Sequence, residues 1–230
     1  MKHLFLIDGA AGTGKTDLIS YVHTKFSASG TASFVRKYTT RKHRIEEKKR
    51  NVKLDLEFCT DENLQDIIRS EECYVYEYGG ENYAFKRHDL DCALSNYQCV
   101  FVIVRSLDII QTIKKTYRLV NVVSVYIHSD SYQVRQRLMD DGYDEDSIGY
   151  RLDRQKLVWG DYLRHSEVYD EVIINNSVRT DFQRTIERLV HKYRNPSSDI
   201  LSISPDQTFN LPKPLVGHRD LPPVVVPPLC

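Results

Sequence analysis

The sequence predicts an α/β fold in which a parallel sheet is wrapped by helices. Three observations predict it. Short apolar runs alternate with helix-period segments over residues 1–195, and strands separated by helices give a parallel sheet covered on both faces. A glycine-rich, nearly uncharged stretch joins the first apolar run to the first helical segment. All eight prolines lie between Pro196 and Pro228, so the alternation stops where they begin.

In chain order, Leu4–Ile7 is a short apolar run that reads as a buried strand, and Asp17–Phe26 follows as an amphipathic helix. Ala32–Val35 reads as the next strand and Thr60–Ser70 as the next helix. Strand Val100–Val104 leads to helix Leu107–Tyr117, and strand Val122–Ile127 to helices Ser131–Asp140 and Glu145–Leu163. Strand Glu171–Ile174 and helix Thr180–Tyr193 complete the pattern. The expected division is an α/β domain over 1–195 and a proline-rich tail over 196–230. The tail ends in "LPPVVVPPLC" and continues neither period. It reads as extended or polyproline-like. Stiff apolar segments lose little entropy on docking, so residues 205–230 are expected to pack on this chain, on a second copy or on a protein partner. A passive terminal extension is the alternative.

Composition excludes several classes. Thirty-two basic and 32 acidic residues leave no net charge in 230 residues, hence no global attraction to nucleic acid or to a membrane surface. No apolar run approaches a membrane span. Five cysteines, without a C-x-x-C pair, read as reduced thiols. The first strand leaves no room for a leader, and the expected compartment is the cytoplasm.

Gly9-Ala10-Ala11-Gly12-Thr13-Gly14-Lys15-Thr16 fits G-x-x-x-x-G-K-[ST] at every fixed position, with a strand before and a helix after it. Glycines let consecutive backbone N–H groups turn inward around a polyphosphate, and the following helix adds the positive end of its dipole. ATP is the expected ligand. Lys15, facing solvent until phosphate arrives, is expected to reach the β- and γ-phosphates, and the Thr16 hydroxyl to ligate Mg²⁺. Asp8 has two readings: ordering the metal's waters, or capping the loop. A plain glycine turn does not explain Lys15 and Thr16 in adjacent special positions.

A second polar cluster, "RKYTTRKHRIEEKKRNVK", spans 36–53, and half of it is Lys or Arg. It reads as a solvated basic loop, as a nucleic-acid patch, or more sharply through "TTRKHR", where Arg41 and Arg44 behind two threonines form a fork for one phosphate. A phosphotransferase needs such a fork to neutralise its acceptor before it meets ATP.

The glycine loop, "TTRKHR", "YEYGGENYAF", "RQRLMDDGYDEDSIGYRL" and "YDEVIINN" occur in this order over residues 1–193. In this the chain resembles guanylate kinases, P-loop enzymes of the nucleoside monophosphate kinase superfamily. The resemblance implies a three-layer P-loop fold with an acceptor-binding insertion and a lid. It implies transfer of the γ-phosphoryl of ATP, with Mg²⁺, to a phosphorylated small molecule. By position, Arg41, Arg44 and Tyr83 correspond to the residues that grip the acceptor phosphate, and Glu77 to a guanine-contacting glutamate. Arg137 and Arg151 correspond to lid arginines that act on the transferring group, and Asn175 to a nucleotide-binding position. Several family positions differ: Lys37 replaces a serine, and of the base-reading positions Phe85 replaces a serine or threonine and Val102-Ile103-Val104 a D-x-D. Asp141 replaces a lid arginine. Phosphate-gripping positions thus survive better than base-reading ones. GMP stays open beside another acceptor, including a phosphorylated sugar such as ribose bisphosphate, which "VIVRSL" and "GGENYAF" resemble. A nucleotide-binding regulator or interaction module without turnover is the alternative function.

Overall fold

The computed structural model describes residues 1–43 and 55–194. Arg44 and the tail segment 205–230, both singled out from sequence, lie outside the described residues. The described residues belong to one unit, Met1–Pro196.

Strand β1 (His3–Asp8) is buried along its whole length. It is central in a five-stranded parallel sheet, flanked by β7 (Cys99–Ile103) and β8 (Asn121–His128), with β2 (Ala32–Phe34) and β9 (Glu171–Ile174) outermost. Strand alternation sends Phe5 and Ile7 to one face and Leu4 and Leu6 to the other. The first face packs on α1 (Lys15–Phe26) and α7 (Arg179–Arg194) through Leu18, Val22, Phe182 and Ile186. The second packs on α3 (Arg87–Asn96) and α4 (Leu107–Thr116) through Leu90, Leu94, Ile110 and Ile113. A strand buried on both sides must be apolar throughout, which is why "LFLI" shows no alternation.

Between β2 and β7 the chain builds a second sheet, ordered β4 (Leu56–Phe58), β3 (Lys37–Thr39), β6 (Glu81–Lys86), β5 (Cys73–Tyr78). Helix α2 (Asp61–Ser70) accompanies it, capped by the Thr60 side chain on Asn63 N–H. This insertion holds strands β3 to β6 and helix α3, none of which the apolar pattern marked. Helices α5 (Ser131–Asp141) and α6 (Glu145–Arg164) form the remaining feature, a hairpin in the expected lid position. Val134, Leu138 and Ile148 give this pair a small core of its own. Asp130 and Asp144 cap the two N-termini through their side chains, and Gly142 ends α5 in the left-handed region. No described helix is long and apolar enough to cross a membrane.

Candidate active site

The loop leaves β1 at Gly9 with φ 142° and enters α1 from Gly14 with φ 99°. Both positions demand glycine for space as well as conformation. A Cβ on Gly9 would lie 2.3 Å from the Ile127 carbonyl oxygen, and one on Gly14 would lie 2.4 Å from Asn175 Nδ2. That amide supports the loop from behind, donating to the Thr13 carbonyl at 2.9 Å. We expect Gly14→Ala to lower stability by roughly 1–2 kcal/mol for the left-handed backbone alone and to weaken nucleotide binding by pushing Asn175 off Thr13. Chemical denaturation and calorimetry with ATP check this; an unchanged denaturation midpoint would show that the loop yields freely.

Three more side chains brace the loop. Lys15 Nζ donates to the carbonyls of Gly9 at 2.7 Å and Ala10 at 2.5 Å. The expectation that it faces solvent is therefore corrected: the loop's own carbonyls hold the ammonium until better acceptors arrive. Arg137 donates to Gly12 O (3.1 Å), Ser129 Oγ (2.9 Å) and Asn175 O (2.9 Å). Burial lowers its pKa, opposed by Asp17 and Asp130. In this conformation it braces the loop while lining the cleft. Asp8 accepts from Gly9 N–H and from the Tyr169 hydroxyl, both at 2.6 Å. Of its two sequence readings, this is the geometry of the cap.

Opposite the loop, the second sheet presents its inner face. Lys37, Arg41 and Tyr83 line one cavity of about 230 Å³ together with Gly12, Lys15 and Thr16. Arg41 is 8% exposed; its guanidinium packs over the Phe58 ring at 4.9 Å and donates to Lys42 O. Lys37 is 3% exposed, with Asp55 Oδ2 at 3.6 Å and the Tyr83 ring centroid at 5.7 Å. Burial pushes its pKa down to about 8; Arg105 and Arg41 push the same way, and Asp55 opposes. Tyr83 stacks on Tyr76, at 5.3 Å between centroids.

Arg151 joins this wall from α6, its guanidinium 4.2 Å from the Tyr143 ring centroid. Glu77 is not brought to the cleft. On β5, Tyr76 and Tyr78 face the cavities, so alternation puts Glu77 on the opposite, exposed side. Phe85, Val102 and Val104 are fully buried and pack in the core. Sequence reasoning missed Arg105, two residues beyond β7, whose guanidinium lies 3.3 Å from the Tyr78 ring centroid and whose Nε is 3.8 Å from Asp8 Oδ1. The rule that α/β sheets place ligands at the carboxyl ends of their strands would have marked it. Lys37, which the family resemblance marks only as a departure, is part of the wall, buried beside Asp55.

Among the described residues no cluster of three His, Cys, Asp or Glu side chains is arranged to hold a metal ion. Mg²⁺ bound chiefly by phosphates and waters needs only one or two protein oxygens. Thr16, exposed in the first turn of α1 and lining the cleft, fits that need.

No family model and no curated protein matches the sequence. The structure is similar to the crystal structure of guanylate kinase from Anaplasma phagocytophilum, with a TM-score of 0.55 at 18% identity over 86% of this chain and 88% of that one. The likeness is one of fold: a five-stranded parallel sheet flanked by helices, in the manner of that kinase.

Proposed function

We propose that the protein is an ATP-dependent phosphotransferase that moves the γ-phosphoryl group to a phosphorylated small-molecule acceptor. The observation that carries this reading is the shared cavity. A triphosphate-type loop and a buried cationic wall face each other across one cleft, as in-line transfer between two anions requires. Gly9–Thr16 would hold ATP, with Lys15 exchanging the Gly9 and Ala10 carbonyls for phosphoryl oxygens. Arg41 and Tyr83 would hold the acceptor phosphate, whose own oxygen is the nucleophile, so no general base is needed. Arg137 and Arg151 bring positive charge from the helical hairpin, which would close over the cleft to exclude water. Thr16 is the residue to hold Mg²⁺, which when bound neutralises charge on the transferring phosphates.

A coupled ATP-consumption assay over nucleoside monophosphates and phosphorylated sugars tests the reading. Turnover with at least one acceptor is expected. ATP binding without turnover on any of them would overturn it in favour of a nucleotide-binding regulator.

Lys37 gives the acceptor site a pH signature. Its neighbours are Asp55, Arg41, Arg105 and the Tyr83 ring. An anion bound beside it favours the charged amine, so its pKa rises on binding. Above about 8 the free protein has lost that proton, binding must take one up, and affinity falls as pH increases. Below about pH 6 a phosphate monoester loses its second charge, and affinity falls again. The expected profile of acceptor affinity is a maximum between these limits, with Lys37→Met removing the alkaline limb only. Survival of that limb in the variant would assign it to another group.

A further inference from the structure

A second opening of about 310 Å³ adjoins the cleft, sharing Arg41, Tyr83 and Arg105 with it and adding Tyr78, Arg154 and Gln155. Among the described residues, five cationic side chains line this opening against one carboxylate, Glu81. Among the described residues, two buried side-chain polar atoms have no hydrogen-bond partner, Arg105 Nε and Gln155 Oε1. Both belong to residues that line this same opening.

Buried polar groups normally find partners, and a buried guanidinium short of acceptors is costly. Arg105 is such a group. Its side chain is 10% exposed. It donates to the Tyr78 hydroxyl and packs on that ring, and the Arg154 guanidinium approaches the same ring at 4.9 Å. The neighbouring carboxylate, Asp8, stays beyond hydrogen-bond distance and is already engaged by Gly9 N–H and the Tyr169 hydroxyl. Gln155 Nε2 donates to the Ser129 carbonyl at 2.5 Å, which fixes the orientation of the amide. Its oxygen is left without a donor, such as a ligand hydroxyl would supply.

One acceptor phosphate accounts for Arg41 and Tyr83. It does not account for Arg105 and Arg154, whose guanidinium groups both lie against the Tyr78 ring. We propose that the acceptor carries a second anionic group, on a different atom from the phosphate that is phosphorylated, and that Arg105 with Arg154 binds it. This assignment rests on the phosphotransferase reading. The binding order below is measured without turnover, so failure of catalysis and failure of this assignment give different results.

The test is calorimetry on the full chain with the loop saturated by a non-hydrolysable ATP analogue and Mg²⁺. Two matched pairs serve as probes: ribose 5-phosphate against ribose 1,5-bisphosphate, and GMP against guanosine 3′,5′-bisphosphate. In at least one pair the bisphosphate should bind about tenfold tighter or more, the size of a charge-assisted contact. Arg105→Met should remove that gain, read as the ratio of bisphosphate to monophosphate affinity within each variant, so that any effect on the cleft Arg105 shares cancels. Arg105→Lys, which keeps the charge without the planar fork, should retain part of the gain. Arg154 is partly exposed, so Arg154→Met should fold normally and reduce the gain, whatever Arg105→Met does to folding. Equal binding of mono- and bisphosphate in both pairs, or a gain that survives Arg105→Met or Arg154→Met, overturns the proposal.

Discussion

Lys15→Ala should lose phosphoryl transfer by about 10²–10³-fold or more, the range seen when one preorganised donor to a developing charge is removed. The ammonium sits at the mouth of the loop, 2.7 Å from Gly9 O and 2.5 Å from Ala10 O. It is the cation best placed to move with charge from the β- to the γ-side of a bound triphosphate. Because it also braces the loop, the variant needs a control. Its thermal transition should stay close to that of the wild type, since the rest of the loop is held by Asn175, Arg137 and Asp8. Near-normal turnover in a folded variant would mean that the loop does not carry the transferring phosphate.

Arg41→Ala should raise the acceptor's KM and lower kcat, together costing ~2–3 kcal/mol in transition-state stabilisation, the worth of a hydrogen bond to a charged group. Arg41 is almost fully buried, yet it lines both openings, with its guanidinium over the Phe58 ring. Truncation removes charge and packing together, so Arg41→Lys separates them. Lysine restores charge but not the flat contact or the two-pronged grip, and should recover part of kcat only. Steady-state kinetics with ATP and acceptor varied separately provide the measurement. If only the KM for ATP changes, Arg41 serves the nucleotide and not the acceptor.

The five strands of the main sheet and the helices between them, α3 excepted, were legible because each is set by its own residues. "LFLI" is apolar because both its faces are covered, and Ser131–Asp141 and Glu145–Arg164 begin at aspartates that cap them. The glycine loop was legible for the same reason: its φ angles and its lysine are local properties. The second sheet was not. Its strands β3 and β4 are three residues long, too short to show a period. Its hairpin does carry a local signal, an alternating "YVYEY" and "ENYAF" joined by Gly79-Gly80, whose φ of 68° and 76° suit a two-residue turn.

The sequence by itself determined the sheet-and-helix alternation, the phosphate-type loop and the presence of basic residues after the second strand, since these depend on neighbours within a turn or two of chain. Only the tertiary structure decided which charged groups share a cavity. Whether Glu77 faces the cleft depends on the register of one strand, where a shift of one residue exchanges the faces. Arg137 closes on Gly12 and Asn175 from across the fold, at sequence separations of 125 and 38 residues. Lys37, Tyr78 and Arg105 come from three separate strand ends, and their approach is fixed by the packing of one sheet against the other. The charge balance of the site arises from that convergence, which no local pattern encodes.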